Sequence, residues 1–302
     1  VTEVVARVTH STIQRSTLAN LQANLAAAAK LQSQMSSGKK ISVPSDDPSG
    51  AHDLLRLRAD QRANAQFQRN ASDGDAWLAT VDTALTESLS IMRQARDLAV
   101  RAGSGALSTD AREALAAEVE ARRDELLQQA NATYSGRQVF AGTSAGAAYT
   151  ADTTTDPPTY TWSGTGTAVT RQVGASSTVR VDADGSSVFG TGAMSAFAAL
   201  DELAAAIRSG STDMSAGIQA VDGRITAMLE QVASVGARHG QVLNAKDVLA
   251  THSVTLTQQL SGIEDVDLAE VILQVQAQEV AYRGALGAAA KVLQPSLMDF
   301  LR

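Results

Sequence analysis

The sequence contains no cysteine. A disulfide scaffold, a cysteine zinc site and a cysteine nucleophile are therefore excluded, while the redox compartment stays open. Aromatic residues make up only 4% of the 302, fewer than the interior of a compact enzyme of this length calls for. No apolar run approaches the ~18 residues that cross a bilayer, so membrane insertion is not expected. The first twenty residues are interrupted by Glu3, Arg7, His10, Gln14 and Arg15, which leaves no signal-peptide core. Positive charge is outweighed as well. With 25 Lys+Arg against 32 Asp+Glu the net charge is −7, and nothing draws the chain to nucleic acid.

What is present falls into three blocks. From about 12 to 135 the chain is rich in Ala, Leu, Gln and Arg; from about 138 to 195 it turns to Thr, Ser, Gly and Asp; from about 196 the helix-forming composition returns. Leu18, Leu21, Leu25, Ala28, Leu31 and Met35 recur at three- and four-residue steps, the spacing of one helix face. Gly38 suits the left-handed position that closes such a helix, and Lys39 and Lys40 suit the negative end of its dipole. Asp47 then caps a second helix with Pro48 in its first turn. That helix is predicted to end near Gln68. A third is expected to start at Asn70–Asp73 and carry Leu78, Val81, Leu85, Met92 and Ala99. Gly103-Ser104-Gly105 breaks the chain, and Ser108 or Thr109 caps a helix bearing Leu115, Val119, Leu126 and Ala130.

In the middle block, 168–173 and 178–182 alternate with the two-residue period of half-buried strands. Asp156-Pro157-Pro158, Ser163-Gly164 and Asp184-Gly185 read as turns. The expectation is a small antiparallel β domain, exposed, tolerant of variation and mild in its effect when removed. In the last block Val221, Met228, Val235, Val242, Leu249, Leu256 and Ile263 fall every seven residues. The partner series Ile218, Ile225, Val232, His239, Lys246, Ser253 and Leu260 is polar in its middle, where Gly236 and Gly240 weaken the helix. Such heptads predict a long helix packed lengthwise on another. The fold class is therefore mainly α with an inserted small β domain, an elongated rod of long antiparallel N- and C-terminal helices.

Site chemistry is sparse. His10, His52, His239 and His252 have no ligand spacing, and no catalytic group, metal or cofactor is expected. Asp182-Ala183-Asp184-Gly185 resembles part of a calcium loop but lacks its downstream glutamate. Glu264, Asp265, Asp267 and Glu270 form a carboxylate cluster without a group to separate their pKa values. Asp267 reads instead as the cap of a final helix, with Glu270 completing a capping-box pair. That helix carries Leu268, Ile272, Val275, Tyr282, Leu286, Ala289 and Leu293, followed by Leu297 and Phe300. Its polar face lacks the basic enrichment of a membrane-surface helix, so a partner helix is favoured.

Several motifs resemble one family. Ser36-Ser37-Gly38-Lys39-Lys40-Ile41 with Pro44-Ser45-Asp46-Asp47-Pro48 is similar to the N-terminal signature of bacterial flagellins and their hook-associated relatives. Asn70 within Arg69–Gly74, Val235–Arg238 and Ile263–Glu270 (with Asp265 and Asp267) continue the likeness. Tyr134–Thr143, including Gly142, and the ending Ala290–Leu301 resemble the members that join hook to filament. Val1 stands where methionine is expected, which implies a non-standard start codon or a trimmed terminus.

The resemblance implies a structural subunit without enzymatic activity, residing outside the cell in the flagellum. It implies secretion by the flagellar type III apparatus without a cleaved signal peptide. It also implies a homo-oligomeric ring whose partners are hook-associated protein 1, flagellin and an export chaperone. The division it implies is a terminal assembly helix over 1–43, disordered in the monomer, and a second over 267–302. Between them lie a helical rod over 44–137 and 196–266 and an outer β domain over 138–195. The assembly interface would be carried by Leu18, Leu21, Leu25, Met35, Leu268, Ile272, Val275, Tyr282, Leu286, Leu293, Leu297 and Phe300. A flagellin filament subunit is the alternative within the class, and a soluble coiled-coil binding or chaperone module the alternative outside it.

Overall fold

A computed structural model describes residues 10–103, 107–155, 157–211 and 213–293, without the side chains of residues 10, 11, 13, 14 and 291–293. Val1, Ser104, Gly105, Asp156, Leu297 and Phe300 lie outside the described residues, as do the side chains of His10 and Leu293. Seven α-helices and three strand pairs are present among those described. By packing, the chain divides into two compact units, Val1–Arg62 with Val254–Arg302, and Ala63–Ser253.

The first unit is made of α1 (His10–Ser37), the start of α2 (Pro48–Gly103), the last turns of α6 (Ser215–Glu264) and α7 (Leu268–Leu293). Gly38, at φ +69°, closes α1 in the left-handed conformation open to glycine. Asp47 Oδ1 accepts the backbone N–H groups of Ser49 and Gly50 at 3.1 and 3.0 Å, the cap that sequence assigns to it. A small apolar cluster of Ile41, Ala51 and Leu54 is covered by Leu260 and Ile263.

The second unit holds the rest of α2 and α6 with α3 (Thr109–Ala130), α4 (Gly185–Phe189) and α5 (Ala196–Ser209). Its strands form three separate antiparallel pairs: β1 (Thr133–Tyr134) with β2 (Arg137–Gln138), β3 (Tyr149–Asp152) with β4 (Thr159–Trp162), and β5 (Thr170–Gln172) with β6 (Thr178–Arg180). Val221, Met228, Val235, Val242 and Leu249 are buried, so the heptad series faces the core as its spacing requires. Ser108 caps α3 by accepting the Ala111 N–H.

Four expectations are corrected or refined. First, α2 is one helix of 56 residues, with no break at 68–75. Asn70 and Asp73, which look like caps, are committed to side-chain contacts: Asn70 Nδ2 donates to the Gln172 carbonyl at 2.9 Å, and Asp73 pairs with Arg171 at 2.6 Å. Second, α6 is the long helix that the heptads predict, and it keeps its course through Gly236 and Gly240. The polar seam residues there answer Asp75 of α2, with His239 Nε2 at 2.7 Å and Lys246 Nζ at 2.6 Å. Lys246, then His239, holds the Asp75 carboxyl below its ordinary range.

Third, the β block has no core of its own. Phe140, Tyr149, Val169, Val179, Val181 and Phe189 belong to the same buried cluster as the α2 and α6 seam. Tyr149, Phe189 and Phe197 meet at centroid distances of 5.1 to 5.8 Å. Burial pushes the Tyr149 phenol pKa up, and its hydroxyl shares its proton between the Gly185 and Gly190 carbonyls. Removing the block would take out part of the helical core. Fourth, Asp184-Gly185 is a helix start. Asp184 Oδ1 accepts the Ser186 N–H to cap α4, while Asp182 is buried against Arg180 at 2.8 Å.

Candidate assembly interface

The residues shared with the flagellin signature build a joint between the two ends of the chain. Lys39 and Asp265 form an antiparallel bridge, Lys40 N–H donates to the Glu264 carbonyl at 2.7 Å, and Val266 N–H donates to the Gly38 carbonyl at 3.1 Å. Glu264, almost buried, receives Lys39 Nζ and also Arg58 Nη2, which reaches both its oxygens at 2.8 and 2.9 Å. The Lys39 ammonium, with Arg58 behind it, holds the Glu264 carboxyl below its usual range despite the opposing effect of burial. Lys39 thus answers a carboxylate on another helix rather than the dipole of α1.

The loop between α1 and α2 is tied in the same way. Asp46 Oδ2 accepts the backbone N–H groups of Ser42 and Val43, both at 3.1 Å, and its other oxygen meets Lys30 at 3.2 Å. The Val43 and Ser42 donors, then Lys30, lower the Asp46 pKa. Ser37 Oγ accepts the Lys39 N–H, and Pro44 lies in this loop. Asp267 Oδ1 accepts the Ala269 and Glu270 N–H groups and caps α7. Glu270 does not complete a capping box; its carboxylate accepts Gln274 Nε2 at 2.9 Å. Other signature residues fall in the second unit, among them Asn70, on the Gln172 carbonyl, and Gly142. At φ +63°, Gly142 passes so close to the Thr167 carbonyl that a Cβ would stand 2.5 Å from it.

α1 and α7 pack antiparallel on each other, pinned by Gln278 Nε2 donating to the Asn24 carbonyl at 3.1 Å. Leu21, Ala28 and Leu31 of α1 are partly covered, as are Val275, Tyr282 and Ala285 of α7, while Val271 and Ala289 are buried. A second set of apolar side chains is exposed. Leu18, Leu25 (56% exposed) and Met35 stand out from α1, and Leu268, Ile272 and Leu286 from α7. Leu273 (67% exposed) and Val280 (70%) belong to the uncovered set too, although the sequence reading passed them over. The twelve interface residues named from sequence therefore separate into three groups. Leu21, Val275 and Tyr282 serve the α1–α7 pairing, Leu18, Leu25, Met35, Leu268, Ile272 and Leu286 are exposed, and Leu293, Leu297 and Phe300 have no described side chain.

Among the described residues no group of His, Asp and Glu side chains could hold a metal ion. His239 and His252 answer Asp75 and Asn64, and His52 is exposed. No helix among the described residues is long and apolar enough to cross a membrane.

Comparison with known proteins agrees with that reading. Residues 8–145 match the bacterial flagellin N-terminal helical region, and residues 218–301 match its C-terminal helical region. The flagellar hook-associated protein 3 of Escherichia coli is 27% identical over 283 residues, which cover 84% of this chain and 88% of that protein. The flagellin of Bacillus subtilis is 26% identical over 281 residues, 87% of this chain and 88% of its own. Among solved structures, a putative flagellar hook-associated protein from Vibrio parahaemolyticus superposes with a TM-score of 0.66 at 21% identity, covering 73% of this chain and all of that one. The hook-associated protein-3 of Legionella pneumophila gives 0.63 at 15% identity over 70% of this chain and 98% of its own, a likeness of fold. Two matched regions that together span most of the chain lead to one conclusion: this chain belongs to the bacterial flagellin family, whose members are structural proteins of the flagellum and not enzymes.

Proposed function

We propose that this chain is the subunit of the junction between hook and filament. Copies of it form a ring seated between hook-associated protein 1 and flagellin. The observation that carries the reading is the match to hook-associated protein 3 over 84% of this chain and 88% of the relative. The apolar face on α1 and α7 supports it, because a surface of this kind in a structural family is an assembly surface. In this reading the terminal helices order fully on assembly, and the β pairs face outward. The chain leaves the cell through the flagellar type III apparatus, escorted by an export chaperone, and needs no cleaved signal peptide.

A second reading is favoured by the Bacillus subtilis flagellin, which matches over nearly the same span at 26% identity. In it the chain is a filament subunit. Immunogold labelling of flagella from the source bacterium separates the two. Gold confined to a band at the hook end supports the junction, gold along the filament supports flagellin, and gold only inside the cell points to an adaptor or chaperone. Deleting the gene sharpens the test: a junction subunit's loss leaves hooks bare and flagellin in the medium.

A further inference from the structure

We infer that the cavity between β4 and the start of α5 is an anchor site for an arginine side chain presented by another protein. The inference stands apart from the junction reading, since it concerns a cavity wholly within the second unit.

The cavity measures about 160 Å³. Sites for cofactors and drug-sized ligands run to roughly 300–1,000 Å³, so this one is sized for a single large side chain. Pro157, Pro158, Ala193 and Ala198 give it apolar walls, and Tyr160 lies at its base. Two carboxylates border it, but they are not equivalent. Asp201 is already answered, accepting Arg123 Nη1 on one oxygen and the Tyr160 hydroxyl on the other at 2.6 Å. Glu202 is exposed and makes no hydrogen bond or ion pair to any described residue. An apolar slot with one uncompensated negative charge at its mouth is complementary to a side chain that is apolar along its stem and cationic at its tip.

Arginine fits that description better than lysine. Its methylene stem packs on the proline and alanine walls, its flat guanidinium is weakly hydrated, and its planar fork matches a carboxylate. A leucine or methionine anchor would fill the same space and leave Glu202 unanswered. Single aromatic or arginine anchors seated in such slots carry much of the energy of protein interfaces.

The test uses the full chain and a small probe, N-acetyl-arginine methylamide, followed by backbone amide NMR shifts. Saturable shifts centred on Ala193, Ala198 and Glu202 are expected. The citrulline analogue, equal in shape but uncharged, should bind about fivefold more weakly, as the loss of one exposed charge pair implies. Glu202→Gln should bring the arginine probe down to the citrulline level without moving the melting temperature. Ala193→Trp, which blocks the exposed mouth, should abolish both. Absence of saturable shifts, equal binding of the two probes, or indifference to Glu202→Gln would each overturn the proposal. So would the same amides shifting with protein concentration alone and ceasing to do so in Ala193→Trp, for the occupant would then be a second copy.

Discussion

The two units use apolar residues in opposite ways. Nine of the eleven aromatic side chains lie in the second unit, where Trp77, Phe140, Tyr149, Phe189 and Phe197 are almost wholly buried. The first unit has only Tyr282 and Phe300, and it leaves Leu18, Leu25, Leu268, Ile272, Leu273 and Val280 in water. A low aromatic content is thus concentrated in the unit with the larger buried core, and sparse in the unit whose apolar side chains stand exposed. The lesson is that scarcity of large side chains is compatible with a well-packed core when the few present are gathered in one unit.

The contrast can be broken most severely by deleting 143–193. Loss of Tyr149, Val169, Val179, Val181 and Phe189 from the shared core should unfold the second unit, seen as lost cooperativity in thermal melting. A cooperative melt retained near the parent temperature would show that the helices suffice. Next in size is Phe197→Ala, fully buried between Tyr149, Tyr160 and Phe189. It should cost about 3–5 kcal/mol in denaturant unfolding. A pH titration sharpens the comparison from the other side. Glu264 has a folded pKa below its ordinary 4.5, so its contribution is present above that pH and fades as pH falls through the folded value. Amide protection factors around α7, corrected for the intrinsic exchange rate, should therefore fall below about pH 4.5, and Lys39→Met should weaken that dependence.

Two smaller effects follow. Gly236→Ala and Gly240→Ala should each stabilise the second unit by up to ~1 kcal/mol, since nothing lies within 4 Å of the added Cβ and alanine is the better helix former. Destabilisation would reveal a crowding the structure does not show. The smallest change in folding is expected from Ile272→Asp on the exposed face, within about 0.5 kcal/mol. Its effect on assembly should be complete, scored by incorporation into flagella and by swimming. Swimming cells carrying Ile272→Asp in their flagella would remove α7 from the interface.

Much of this organisation is legible in the sequence because it rests on local rules. The 221–263 heptads, the Asp47-Pro48 start, the Ser108 cap and the Gly38 stop all depend on residues within a few positions of one another. The break imposed on α2 failed for a physical reason. Asn70 and Asp73 carry the same chemistry whether they cap a helix or reach Gln172 and Arg171, and only the tertiary partner decides. The β3–β4 pair escaped notice because Tyr149–Asp152 and Thr159–Trp162 are four residues each, too short for alternation to stand out. The interface list mixed two faces for a similar reason. Leu21 and Leu25 share a three-to-four spacing, but α7 covers one and leaves the other free, and periodicity does not tell which.

The uncovered apolar face also has a kinetic side. Two free chains that touch through Leu273 or Val280 can adhere in many orientations, of which few lead to an ordered array. Such adhesion grows with the square of the free concentration, whereas addition to an existing end grows only in proportion to it. What protects orderly growth is therefore a short lifetime for the free folded chain, more than a high affinity for the growing end. A cell that delivers subunits one at a time to the place of use keeps that lifetime short, and the same surface then works for assembly instead of against it.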